Sequence, residues 1–299
     1  MVTFRSLSDC TWRDAVDIWN RGFEGYAIDM TTDEKKLTAH LAKNDLSPEY
    51  SIVAFYKGEP AGIILNGIRR IEGKKVAWNG GTGVAKPFRG RGIGKGMIEK
   101  CLEIYRKHGV EVATLEALET NQPAIALYKK MGYEVKDTLH FYSLDQTHPD
   151  HYTEGKFPYR VQRGMSREIM RLPFWRKWTP WQTQLANVPE AESVIVENEQ
   201  GEAVGYALFK ENTDETGMRT GTVLLQCETS SGAEDQKKVI QCLLSRVFRF
   251  NEYGNQSPEK YSCSTFNLTT NKDLLQILKE WGFQKKMGQV WMECPIRQT

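Results

Sequence analysis

Apolar and polar positions along the first half of the chain alternate in two different rhythms. Residues 2–7 alternate with period two and predict a strand. Residues 11–23 and 33–43 carry helical spacing, with Ser8 or Asp9 as the expected N-cap of the first helix. Residues 50–56 and 61–68, joined by the turn Lys57-Gly58, predict two strands. A turn at 70–75 leads into a third strand at 76–84. In the next helix Ile93, Met97, Cys101, Leu102 and Tyr105 share one face, and Lys95, Glu99, Lys100, Glu103, Arg106 and Lys107 the other; Gly109 is its expected stop. A strand at 110–118, a helix at 124–131 and an extended stretch at 133–144 complete the half. Strands interleaved with helices in this order predict an α/β chain of the α+β type, a mixed twisted sheet with helices on its faces.

The junction between the third strand and its helix breaks both rhythms. It reads Val84-Ala85-Lys86-Pro87-Phe88-Arg89-Gly90-Arg91-Gly92-Ile93-Gly94-Lys95-Gly96. Arg89, Gly92 and Gly94 stand in the spacing Arg-x-x-Gly-x-Gly. Such a turn leaves backbone N–H groups bare at a helix start, and the helix dipole adds positive potential there, which suits a pyrophosphate. The dinucleotide fingerprint is excluded: from Gly90 it requires glycine at Lys95, and from Gly92 at Met97. A P-loop is excluded too, because Arg89 stands where its first glycine belongs and Gly96 where its hydroxyl residue belongs.

Downstream, Asn121-x-x-Ala124-x-x-x-Tyr128-x-x-x-Gly132-Tyr133 follows the loop with a strand between them. Asn121 and Tyr128 lie seven residues apart, roughly 10 Å along one helix face. Loop and helix together resemble the GNAT superfamily of N-acetyltransferases. The resemblance implies a GNAT-like fold and acetyl-coenzyme A (acetyl-CoA) as acyl donor, with an amine as acceptor. It assigns Val84, Ala85, Arg89, Gly90, Arg91, Gly92, Ile93, Gly94 and Lys95 to the donor's binding loop. Asn121 would contact the pantetheine arm, and Tyr128 would lie near the thioester sulfur as general acid. A backbone splay after the third strand, compatible with Gly80, Gly81 and Gly83, would open space for that arm. Amides around Gly83, Val84 and Ala85 would hold the developing oxyanion. By the same analogy Phe23 and Tyr26 border the acceptor, and Glu24 or Asp29 could attract a cationic amine. The general base departs from the family pattern, since the third strand offers Trp78 and Asn79; Glu116 is the first candidate and Glu119 the second. The plainer roles are a helix cap for Asn121, a core aromatic for Tyr128 and a surface acid for Glu116.

The second half repeats this plan in weakened form. Leu268-Thr269-Thr270-Asn271 and residues 274–283 align without gaps on Leu118-Glu119-Thr120-Asn121 and residues 124–133. Glu202-Ala203-Val204-Gly205 echoes Glu59-Pro60-Ala61-Gly62. The catalytic signature is not repeated. Leu278 replaces Tyr128, and the segment 228–235 carries three acids and no arginine where the donor loop belongs, which repels a pyrophosphate. The expected organisation is a catalytic domain at 1–147 and a degenerate GNAT-like domain at 148–299, with a polar linker at about 147–158. His148 and His151 read as parts of that linker, not as metal ligands. The second copy would shape the cleft, stabilise the first or mediate assembly. The stretch Phe174-Trp175-Arg176-Lys177-Trp178-Thr179-Pro180-Trp181 is expected to fill a seam between the domains.

Composition adds limits. The 299 residues carry a net charge of +2, 40% hydrophobic and 26% charged residues, the profile of a soluble globular protein and not of a nucleic-acid binder. Six cysteines without a Cys-x-x-Cys pair, together with five histidines, predict no metal site and a reducing, cytoplasmic setting. No export signal or membrane span is visible. The expected function is transfer of acetyl from acetyl-CoA to a primary amine, on a small molecule, by direct attack in a ternary complex. A protein N-terminus or lysine is the alternative acceptor, and a non-catalytic acyl-CoA sensor the alternative class.

Overall fold

The structure, a computed structural model, describes residues 1–144, 157–250 and 261–297. The expected linker, with His148 and His151, lies outside the described residues up to position 156. Two compact units emerge: Met1–Lys136 with Val290–Thr299, and Asp137–Gln289.

The first unit runs β1 (Val2–Ser6), α1 (Trp12–Gly22), α2 (Glu34–Lys43), β2 (Ser47–Tyr56), β3 (Glu59–Ile71), β4 (Lys74–Val84), α3 (Ile93–Lys107), β5 (Val112–Leu118) and α4 (Gln122–Lys130). Its strands lie in the order β1-β2-β3-β4-β5. All these pairs are antiparallel except β4 with β5, which is parallel. The apolar face read for α3 is buried as expected: Ile93, Met97, Cys101, Leu102 and Tyr105 pack with Ile125, Tyr128 and Tyr133 against Ile64, Ala77 and Leu115 of the sheet. Gly109 stops α3 with φ at +64°. The first helix is capped by Thr11, whose hydroxyl accepts from the Asp14 N–H at 3.1 Å. Ser8 and Asp9 instead sit in a 3-10 turn, Leu7–Asp9, capped by Ser6.

One irregularity shapes this unit. Asn66 opposes Asn79 and Leu65 opposes Gly81, so Gly80 is an extra residue in β4, a β-bulge. Pairing of β4 with β5 runs from Val76 and Val112 to Asn79 and Leu115. From Gly80 onward β4 stays with β3 and leaves β5. The parted strands open a wedge in the sheet, the splay that the resemblance implied and the glycines allow. After the bulge Gly81 and Gly83 face α1. A Cβ on Gly81 would sit 2.7 Å from the Trp19 ring, and one on Gly83 3.1 Å from the Gly22 backbone. Backbone cannot yield as a side chain does. Gly83→Ala is therefore expected to destabilise the protein by about 1–3 kcal/mol, read as a lowered melting temperature.

The second unit is built on β6 (Glu134–Leu144), β7 (Arg160–Met165), β8 (Glu192–Glu197), β9 (Ala203–Thr213), β10 (Arg219–Thr229), α5 (Gln236–Phe248), β11 (Ser262–Thr265), α6 (Lys272–Glu280) and β12 (Gln284–Pro295). β6 from Asp137 onward counts with this unit, whereas β12 from Val290 onward counts with the first. The strands from β6 follow the order β6-β11-β10-β9-β8-β7. The duplication extends to detail. β10 pairs in parallel with β11 up to Leu224 and Thr265, and its bulge follows at Leu225. Ser230 N–H bonds Val204 as Ala85 N–H bonds Ala61. Asn271 caps α6, as read from the sequence, accepting from Leu274 N–H at 3.1 Å.

The Trp-rich stretch packs on the second unit's own sheet. Phe174 and Trp175 lie against Tyr206, Leu208 and Leu225, on the chain that runs where α1 and α2 stand in the first unit. Gln226 and Glu228 replace the paired glycines 81 and 83. Gln226 bonds the Thr183 carbonyl at 3.1 Å and Tyr206 at 3.0 Å, and Glu228 holds Arg176 at 3.2 Å. Arg176 also donates to Thr269 at 2.8 Å. The end of β10 is thus bonded to its own chain, not to an open wedge.

Candidate active site

The loop after β4 has the left-handed glycines and bare helix start read from the sequence. Gly90 and Gly92 have φ of +74° and +76°, which glycine adopts without penalty. Gly92 is the N-cap of α3 and supplies no side-chain bond, and no acid occupies the first turn. Every other described α-helix has a side-chain cap: Thr11, Asp33, Asn121, Asp235 and Asn271. The N–H groups of Ile93, Gly94 and Lys95 therefore meet neither a helical carbonyl nor a capping side chain. Gly96 lets the helix approach Phe4, whose ring stands 2.9 Å from where a Cβ would be.

The loop's side chains are less uniform than expected. Lys95 pairs with Glu99 at 3.3 Å, and Arg91 lies 5.3 Å over the Tyr56 ring. Exposed pairs of this kind are weak and exchange partners readily. Arg89, assigned to the donor, instead spends its guanidinium on carbonyls: Nε donates to Val84 at 2.8 Å, and Nη2 to Gly22 at 3.1 Å and Glu24 at 3.4 Å. Ala85 also departs from its assignment. Its N–H donates to Ala61 at 3.0 Å and is not available to an oxyanion. Antiparallel pairing alternates, so the neighbouring Val84 turns its N–H and C=O away from β3 toward the wedge. The Val84 carbonyl confirms that orientation by accepting from Arg89. Gly83 faces β3 by the same parity.

Tyr128 lies in the core beside the wedge and is 7% exposed. Burial pushes its hydroxyl up to about 12, partly countered by Thr82 and Asn79, whose side chains meet it. Asn79 Nδ2 donates to Thr82 Oγ1 at 2.8 Å, and Gly81 N–H donates to Asn79 Oδ1 at 3.1 Å. Simple alternation would put residues 79 and 82 on opposite faces. The bulge at Gly80 restores them to one face, toward Tyr128. Sequence reading missed both residues as parts of the site, and the signal that could have found them lay in the Gly80-Gly81 pair, which is compatible with a bulge there.

Asn121 caps α4 through Oδ1, which accepts from Ala124 N–H at 3.3 Å. With the oxygen engaged, the amide NH2 is what Asn121 offers to Tyr26. Burial raises the Tyr26 hydroxyl, and Asn121 and the Leu118 backbone oppose that shift. Phe23 stacks between Trp19 at 4.4 Å and Tyr26 at 5.5 Å, so the two residues expected at the acceptor form one aromatic wall. Glu24 is engaged by Lys86 at 2.9 Å, and Asp29 accepts from Thr31 N–H at 2.9 Å. Glu116, half-buried, is the first β5 residue past the last pair with β4. It accepts from Trp78 Nε1 at 2.6 Å. Leu115 and Ala117 point into the α3–α4 core, so Glu116 faces the α1 side of the opening and Tyr128 the other.

Comparison with known proteins agrees with this geometry. Residues 12–133 match the Acetyltransferase (GNAT) family. An uncharacterized N-acetyltransferase of Methanocaldococcus jannaschii is 30% identical over 145 residues, 46% of this chain and 62% of that protein. An N-alpha-acetyltransferase of Arabidopsis thaliana is 32% identical over 101 residues, 32% of this chain and 52% of that one. The chain spans about half to three fifths of these relatives' length. A tandem GNAT protein from the clavulanic acid biosynthesis pathway superposes with a TM-score of 0.63, covering 100% of both chains at 14% identity. A related N-acetyltransferase from Sphaerobacter thermophilus gives 0.64, covering 99% of this chain and 96% of that one, also at 14%. The match to the GNAT acetyltransferases thus falls within the first unit, and over its whole length the chain has the fold of a tandem GNAT protein. No helix among the described residues is long and apolar enough to cross a membrane.

Proposed function

We propose that the chain is an acetyl-CoA-dependent N-acetyltransferase with one catalytic unit, the first. The observation that carries this reading is the uncapped start of α3 at the mouth of the wedge. The amides of residues 90–95 fit a diphosphate, and the parted β4 and β5 fit its pantetheine arm. When bound there, the thioester supplies the acetyl group. Val84 N–H is the donor placed for the carbonyl oxygen that gains charge. Tyr128 holds the proton that the departing sulfur needs, and burial keeps that proton in place at neutral pH. Glu116, on the opposite side of the opening, takes the proton from the incoming amine. Cys101, in the same core, is pushed up to about 12 by burial and serves poorly as a nucleophile, which favours direct attack.

The acceptor is a primary amine, and the closed aromatic wall of Phe23 and Tyr26 favours a small one. The likeness to an N-alpha-acetyltransferase supports peptide N-termini as a second reading. Thiol release from acetyl-CoA over small amines and short peptides separates the two. Binding without turnover on every amine would instead make the protein a sensor. Glu116→Gln is expected to lower turnover at least about tenfold at neutral pH. An unchanged rate would assign proton removal to water.

A further inference from the structure

Arg89 stands in the donor loop, yet its guanidinium serves the other substrate's loop. Of its five N–H donors, three reach carbonyls on β4, at the end of α1 and in the loop beyond it: Val84 at 2.8 Å, Gly22 at 3.1 Å and Glu24 at 3.4 Å. Two further contacts join the same elements. Lys86 Nζ pairs with the Glu24 carboxylate at 2.9 Å, and the Gly22 and Gly83 backbones meet without side chains between them. The Gly22 and Glu24 carbonyls that Arg89 holds flank Phe23, whose ring meets Tyr26 edge to face. Tyr26 in turn meets Asn121 and Leu118 at the edge of the wedge.

We propose that Arg89 is a positioning residue that couples the donor loop to the acceptor wall. A diphosphate on the amides of residues 90–95 fixes the loop from which Arg89 projects. That guanidinium then fixes Gly22 and Glu24, and with them Phe23 and Tyr26, before the amine arrives. Neither a phosphate contact nor contact with the reacting atoms is required of it. A lysine cannot replace it, because one ammonium does not span three carbonyls in a fixed fork. Coupling of this kind is reciprocal, so an ordered acceptor wall tightens donor binding by the same factor. This inference rests on the donor reading of the loop given above.

Hydrogen exchange with coenzyme A as the probe tests it in the full-length chain. In the wild type, coenzyme A should slow exchange in both segments, 88–95 and 22–30. In Arg89→Ala, protection of 88–95 should remain and protection of 22–30 should vanish. Arg89→Lys, the milder change, should behave as Arg89→Ala does if the latter folds poorly. In kinetics the acceptor KM at saturating donor should rise about tenfold in either variant, and the donor KM at saturating acceptor by a similar factor, while coenzyme A affinity without acceptor moves much less. Persistent protection of 22–30 in both variants would overturn the coupling. So would a wild type protected at 88–95 alone. A wild type protected at neither segment would remove the donor reading itself, and the coupling with it.

Discussion

Tyr128→Phe is expected to lower turnover by about 10²- to 10⁴-fold while donor affinity changes little, the range that a positioned acid contributes. The substitution removes one oxygen and keeps the ring in its place among Ile125 and Tyr133. Asn79 and Thr82 still bond one another, so no unsatisfied pair is left behind. The pH dependence follows from the direction of the shift. The active form is the protonated phenol, and burial moves its loss of proton from the usual 10 up to about 12. Between pH 7 and 9 the wild-type rate therefore shows no alkaline decline from Tyr128. Steady-state rates and calorimetry on the same variant check both halves: full turnover in Tyr128→Phe, or lost binding, contradicts the assignment.

Gly92→Asp is expected to weaken acetyl-CoA binding by about 100-fold or more, roughly 3 kcal/mol. A carboxylate there occupies the start of α3 where the other described helices carry their caps, and it places negative charge beside the diphosphate. Fold stability should change little. A new cap contributes about 1 kcal/mol, and a non-glycine residue at φ of +76° costs about as much. Gly92→Asn separates charge from occupancy, with a smaller loss expected. Calorimetric titration of both variants, beside thermal melts, reads the difference. Equal affinities for wild type and Gly92→Asp would place the donor elsewhere.

Periodicity exposed what depends on regular geometry. The buried stripe of α3, its stop at Gly109 and the left-handed glycines of the donor loop all follow from side-chain spacing and turn chemistry, which are local. Asn271 was legible as a cap because a cap needs one side chain and one nearby amide. The repeat was legible for the same reason, and Leu278 in place of Tyr128 marked the copy that lacks the hydroxyl. Features set by a break in register were hidden. One extra residue at Gly80 reverses the parity of everything after it, so Asn79 and Thr82 could not be put together from alternation. Arg89 illustrates another limit. Its position in the motif pointed to the donor, but two of the three carbonyls that hold it, Gly22 and Glu24, lie at or just past the end of α1, more than sixty residues earlier in sequence. The Trp-rich stretch was read by composition alone, which does not say which apolar face it covers; the structure sets its first two aromatics, Phe174 and Trp175, on the second unit's own sheet. Ser8 or Asp9 was the expected cap of the first helix, but the cap is Thr11, whose hydroxyl accepts from the Asp14 N–H in the first turn.

The duplication also explains why one unit is read as catalytic. Both bulges survive at equivalent positions, but Gln226 and Glu228 bond Thr183 and Arg176 where Gly81 and Gly83 lie bare against α1. The second unit has exchanged an opening for internal bonds.

A crystal structure of the full chain with acetyl-CoA tests the central claim most directly. It should show the diphosphate on the amides of residues 90–95 and the thioester carbonyl within about 3 Å of the Val84 nitrogen, with the sulfur turned toward Tyr128. Density for the coenzyme between β10 and β11, or on a surface away from the parted strands β4 and β5, would contradict it.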